Sequence, residues 1–167
     1  MERAEQEHRR GWFRERWAHG VPFSKHCGIE VRRWDAEAIE LLLPYAEEVS
    51  AHAGIYHGGV VSALLDTTAS GAVMADHDFA KGSRLTTISL LVQFLSVVPG
   101  EDLLAAGRCT RRSRTVHFAE AQARGAARFE PAASSSRTKR TSQRSALCGG
   151  ESTEWEHSDP DTLRVTR

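Results

Sequence analysis

Residues 57 to 75 read HGGVVSALLDTTASGAVMA and carry one formally charged side chain, Asp66. In a chain that is 26% charged, an average stretch of that length would hold about five. The run predicts a helix from about 58 to 75, and a helix apolar nearly all round is normally enclosed by protein. The rest of the chain must therefore supply a surface broad enough to wrap it. An ionised carboxylate is costly to enclose without partners and is rarely kept for packing, so Asp66 reads as retained for chemistry. A competing reading is a simple polar stripe, because Gly58, Ser62, Asp66 and Ser70 share one face at i+4 spacing.

With 167 residues, 40% of them hydrophobic, the chain is long enough for one domain with a full core and short for two. Lys plus Arg and Asp plus Glu are both 22, which gives no support to a nucleic-acid partner, since such binders normally carry a basic excess. Cys27, Cys109 and Cys148 are scattered and odd in number, so neither a metal site nor a disulfide framework is expected. The first twenty residues mix both charge signs without an apolar core, unlike a signal peptide. No apolar run long enough to span a bilayer is expected; a reducing cytoplasm is the default setting, with no membrane partner.

Residues 4 to 18 read as an amphipathic helix with Trp12, Phe13 and Trp17 at helical spacing, stopped by Gly20 and Pro22. Residues 28–34 and 38–45 predict a hairpin turning at Asp35-Ala36, and 46–56 a loop leading to His57. After the central helix, 76–83 form a link. Residues 85–98 predict a long β-branched and aromatic strand closed by a Pro99-Gly100 turn, and 101–112 and 114–126 two more strands. This order suits an α+β fold, an antiparallel sheet wrapped over one helix. It divides the chain into an N-terminal helix (1–22), a main domain (23–126) and a tail (127–167). The tail is Ser/Arg-rich and then acidic, without sustained period, and is expected to be disordered with no packed structure.

Gly58 and Gly59 stand where the loop becomes the central helix. A helix start leaves backbone N–H groups unpaired, and these favour negative charge. Glycine lets a ligand oxygen approach them, forming an oxyanion hole worth about 3–4 kcal/mol per well-placed donor; a sharp turn alone would also explain the pair. Asp66 is ionised at neutral pH and able to act as general base or nucleophile. At 1.5 Å rise per residue, Gly58 and Asp66 lie about 12 Å apart along the axis, too far to serve one carbonyl from one helix. Two antiparallel copies could do so, which predicts a two-fold dimer with two composite sites.

The stretch AGIYHGGVVSALLDTTASGA, followed by TTISLLVQFLSVVPGEDLLAAGRCTRRSRTVHFAEAQARG, resembles the PaaI-type acyl-CoA thioesterases of the hotdog-fold superfamily. The likeness covers residues 24–126, and its most specific part is the HGG-x6-D spacing. It implies a sheet curved around the central helix, homodimers that can pair into homotetramers, and hydrolysis of acyl-CoA without cofactor or metal. By that resemblance Gly58 polarises the thioester carbonyl and Asp66, from the opposite subunit, activates water or attacks directly. His57 supports the site by hydrogen bonding, although a histidine there also suits a structural cap. Thr87 falls near a position where a hydroxyl helps hold the water, and it also suits a β-branched strand.

The pattern departs from the family in two places. An Asn expected six residues before the histidine is Ala51 here, with His52 beside it as a candidate substitute. A last apolar strand expected after residue 126 is replaced by the tail. Arg111, Arg112 and Arg114 would meet the phosphates of coenzyme A, or form a solvated turn; Gly59 and His52 complete the substrate-binding set. The alternatives are a non-catalytic acyl-CoA-binding scaffold and, through His57, a hydratase or dehydratase. No G-x-S-x-G elbow is present, against an α/β-hydrolase.

Overall fold

A computed structural model describes residues 2–97, 99–128 and 163–166. The expected hairpin forms as β1 (Glu30–Trp34) and β2 (Ile39–Leu43). Asp35 turns it: Oδ1 accepts from the amides of Glu37 (2.9 Å) and Ala38 (2.8 Å), and its own amide donates to Ala38 O. Asx turns of this kind let a short acidic side chain mimic backbone geometry. The 46–56 loop contains a small hairpin of its own, β3 (Ser50–His52) and β4 (Ile55–Tyr56).

The helix α3 spans Gly58–Ala75. Its 18 residues are long and apolar enough to cross a membrane by length and composition, contrary to the expectation that no such run existed, yet 61% of it is buried inside the fold. It lies on β2, β6 (Leu103–Arg112) and β7 (His117–Gly125). Alternation along β6 and β7 turns Ala105, Gly107, Ala119, Ala121 and Ala123 inward. These small residues let the helix approach closely: a Cβ on Gly107 would stand 2.9 Å from Thr68 Cγ2 and 3.1 Å from Thr68 O. Ile39, Leu41, Leu43, Leu64, Leu65 and Leu103 fill the remaining core, each fully buried.

The helix α1 (Arg3–His19) packs on α3 and β1, with Trp17 against Trp34 and Phe13 stacked on Phe79. Pro22, expected only to stop α1, opens a short second helix, α2 (Pro22–His26), at the N1 position where its missing N–H is harmless.

Two expectations are corrected. The long strand predicted for 85–98 is a strand only at β5 (Leu91–Gln93). Its β-branched pattern is real, but flanking residues such as Ile88, Phe94, Leu95 and Val97 are half exposed or more and pair with no strand among the described residues. The tail was expected to hold no packed structure, yet residues 163–166 form β8, inserted antiparallel between β7 and β5. A sheet edge and an apolar strand on either side of a vacant position favour any four residues able to extend, which composition averaged over the whole tail could not register. The rest of the predicted tail, 129–162, lies outside the described residues. The sheet order is β1-β2-β6-β7-β8-β5, every neighbouring pair antiparallel. One helix enclosed by a six-stranded antiparallel sheet is the hotdog fold.

Candidate active site

The site begins where β4 delivers the chain to α3. His57 is the N-cap: its Nδ1 accepts from Gly59 N–H at 2.9 Å, and its carbonyl accepts from Val60 and Val61. The Gly59 amide, expected to help bind substrate, is therefore already engaged. Among the described residues the Gly58 amide has no protein acceptor. The first turn thus presents one oxyanion donor rather than two, and His57 fixes which one. Phe94 lies beside Gly58: its Cζ would stand 3.4 Å from a Cβ there. Phe94 is placed there by the Pro99-Gly100 turn, which docks on the β3–β4 hairpin through Gly100 N–H to Gly54 O (2.7 Å) and the Ile55–Pro99 bridge. Sequence separation hides this contact.

Two turns further along, Asp66 is half-buried rather than enclosed. In a single chain the face bearing Ser62 and Asp66 is only partly covered, and it becomes buried at Ser70. Thr87 reaches Asp66 from the segment before β5: its Oγ1 lies 2.9 Å from Oδ1 and 3.2 Å from Oδ2. One hydroxyl proton shared between both oxygens orients the carboxylate. Thr87, read from the sequence either as a hydroxyl near the water or as a plain strand residue, is brought to the site. Ser62 Oγ instead donates to Gly58 O (2.8 Å), a bond along the helix that leaves the carboxylate as the acceptor on this face.

His52 and Ala51 lie exposed on β3, ahead of the helix start. The three arginines do not act as one cluster. Arg111 lies over the Phe118 ring at 5.9 Å, and Arg114 borders an open cleft. Arg112 turns inward, donating to Val73 O (2.8 Å) and Ala72 O (3.2 Å) with Asp76 3.8 Å away. It caps the C-terminal end of α3, where carbonyls lack partners and positive charge is favoured; this corrects its reading as a phosphate ligand. Arg10 meets the same Asp76 at 3.1 Å, tying α1 to this end. Beside it, burial and then the charges of Arg112, His77 and Lys81 hold the His117 imidazole below its usual pKa. Among the described residues no group of three His, Cys, Asp or Glu side chains gathers as a metal ion would require.

Comparison with known proteins bears on the fold that carries these residues. Residues 53–127 match the Thioesterase superfamily model. A Halobacterium salinarum protein named as a proposed esterase is 31% identical over 96 residues, covering 56% of this chain. The chain spans 63% of that relative's length. Among solved structures, a thioesterase family protein from Silicibacter pomeroyi superposes with TM-score 0.64 at 22% identity, covering 70% of this chain and 84% of that one. A Shewanella oneidensis protein related to the thioesterase superfamily gives 0.62 at 22%, over 73% and 88%. Zebra fish thioesterase superfamily member 2 gives 0.60 at 19%, over 71% and 86%. At these identities the structures speak for the fold, and the match over β4 to β7 includes both Gly58 and Asp66.

Proposed function

We propose that this protein hydrolyses acyl-CoA thioesters to free acid and coenzyme A as a two-fold homodimer. The observation that carries the reading is the Asp66 carboxylate, oriented by Thr87, on the same helix as Gly58, whose first-turn amide has no acceptor among the described residues. The helix is continuous between them, so about 12 Å still separates the two along its axis. A second copy is the natural source of the missing half. Ile88, Leu91, Phe94, Leu95 and Val97, close together in the sequence around β5, are each at least 50% exposed, and exposed apolar side chains grouped in this way suit an interface. Joined there, Gly58 would face Asp66 of the partner subunit. Pairing of such dimers into tetramers belongs to the same proposal.

In the reaction, Asp66 takes a proton from water as the water oxygen attacks the thioester carbonyl carbon. Negative charge develops on the carbonyl oxygen against the Gly58 N–H. The C–S bond then breaks, the thiolate leaves with the proton, and the acid is released. Arg111, exposed on the outer face, is available to the coenzyme phosphates. A cytoplasmic location fits the free thiols of Cys27 and Cys109.

A thiol-release assay across short, long and aryl acyl-CoAs tests the reading. Asp66→Asn is expected to lower kcat at least a hundredfold, the scale of a lost general base, with the dimer retained in a mass measurement. Acyl-CoA binding without thiol release across the panel would instead establish the scaffold alternative.

A further inference from the structure

Shortly before the helix α3 begins, the chain turns at Gly54 between β3 and β4, and that turn is gripped from both sides. Gly54 takes a positive φ of 76°, a conformation open to glycine. Its N–H donates to the Tyr45 phenol oxygen at 2.8 Å, and its carbonyl accepts from Gly100 N–H at 2.7 Å. Just beyond Gly100, Asp102 Oδ1 accepts from the backbone N–H of Tyr45 at 2.9 Å. These bonds close a circuit, from Tyr45 to Gly54 to Gly100 to Asp102 and back to Tyr45. The two glycine turns also pack on each other, since a Cβ on Gly100 would stand 3.7 Å from Gly54 Cα.

The neighbours of Tyr45 fix its part in the circuit. Its hydroxyl donates to Glu47 Oε1 at 3.0 Å, which commits the proton there and leaves a lone pair for the Gly54 amide. Its ring stands edge-on to Tyr56, with centroids 5.3 Å apart and planes at 85°, an arrangement aromatic pairs favour. Tyr56 is buried in β4, and its own hydroxyl donates to Leu43 O at 3.1 Å. Burial, and after it the charge of Asp102, raise the Tyr56 pKa, so this hydroxyl stays a donor. His57 follows, its N–H donating to Val49 O at 3.0 Å. The hairpin is thus held at its tip by Tyr45, along β4 by the end of β2, and at its exit by Val49. Only Ile55, Tyr56 and His57 separate the gripped glycine from Gly58.

An oxyanion donor works when it lies about 2.7–3.1 Å from the developing charge. A misplacement of about 1 Å can cost about a hundredfold in rate. The first free N–H of a helix is aimed by the residues that lead into it, here β4 and His57. We propose that Tyr45 is a positioning residue for the Gly58 amide: its phenol sets the β3–β4 hairpin, and the hairpin sets where the Gly58 N–H points. Tyr45 touches no reacting atom. Its effect on rate rests on the hydrolysis proposed above, whereas its effect on the Gly58 amide does not.

Tyr45→Phe removes one oxygen and keeps the ring against Tyr56. In the thiol-release assay it is expected to lower kcat about tenfold with KM within about twofold, and circular dichroism checks that the fold is retained. A double-mutant cycle reads whether the loss passes through Gly58. In a Gly58→Ala background the same substitution should change kcat less than twofold. A merely structural role would give the full loss in both backgrounds, and that result, or an unchanged kcat in Tyr45→Phe alone, would overturn the proposal. Amide NMR supplies a readout independent of turnover. The Gly58 cross-peak should move, and exchange of the Gly54 and Gly100 amides should quicken at least tenfold. If the unaltered chain splits no acyl-CoA, the hydrolysis reading falls and the Gly58 cross-peak alone decides the role of Tyr45; an unmoved peak overturns it.

Discussion

Replacing Arg112 by methionine separates two roles that the sequence alone leaves open. The guanidinium, 30% exposed, donates to Ala72 O and Val73 O at the end of a helix whose last carbonyls have no helical partners. Hydrogen bonds from a charged donor contribute about 1.5–3 kcal/mol when buried, and partial exposure brings each nearer 1 kcal/mol here. The favourable position at the helix C-terminus adds about 0.3–1 kcal/mol. The 3.8 Å approach to Asp76, itself 46% exposed, contributes little. The expected loss is about 2–3 kcal/mol, or a fall in Tm of about 4–12 °C for a chain of this size. Urea denaturation followed by circular dichroism measures it, at one fixed protein concentration because a dimer's stability depends on concentration. Arg112→Lys should recover less than half, since an ammonium cannot reproduce the two-pronged geometry. If Arg112→Met kept full stability while KM for acyl-CoA rose tenfold, the capping role would be refuted and phosphate binding restored.

Other substitutions probe the packing and the site. Gly107→Ala places a methyl 2.9 Å from Thr68 Cγ2 and 3.1 Å from Thr68 backbone oxygen, and a cost of about 1–3 kcal/mol is expected in the same denaturation assay. Gly58→Ala meets only Phe94, at 3.4 Å. It should leave Tm nearly unchanged while lowering kcat at least tenfold, because a methyl then stands beside the oxyanion donor; unchanged kcat would remove Gly58 from the reaction. At Asp35, desolvation raises the carboxyl pKa, but the amides of Ala38 and Glu37 and the Arg33 guanidinium outweigh it, leaving the folded value below the reference 3.8. A carboxyl depressed on folding stabilises the protein above its unfolded pKa, and that contribution is lost as pH falls through about 4 and below. Asp35→Ala should therefore flatten part of the acid limb of a stability–pH profile, an effect kept modest by the 42% exposure of the side chain.

The central helix was legible from residues 57 to 75 because charge depletion and apolar content are local properties; its bounds, 58–75, match the expectation. The β1–β2 hairpin, turned by Asp35, was legible for the same reason. Gly58 and Asp66 could be picked out as candidates because both sit on that helix. Thr87 and His57 were named beside them through the family resemblance, His57 also as a cap, but the contacts around the site were not legible. Phe94 against Gly58, Thr87 on Asp66 and Arg112 on the helix end join residues 21 to 40 positions apart, and no periodicity reports such pairs. The same holds for His57, whose ring takes the Gly59 amide and leaves Gly58 as the donor. Strand 85–98 was overread because β-branching states a preference for extension, while a ladder needs a neighbour; only Leu91–Gln93 found one, in β8. Helix identity is written in consecutive residues. Sheet order and capping partners arise only when distant segments share one core.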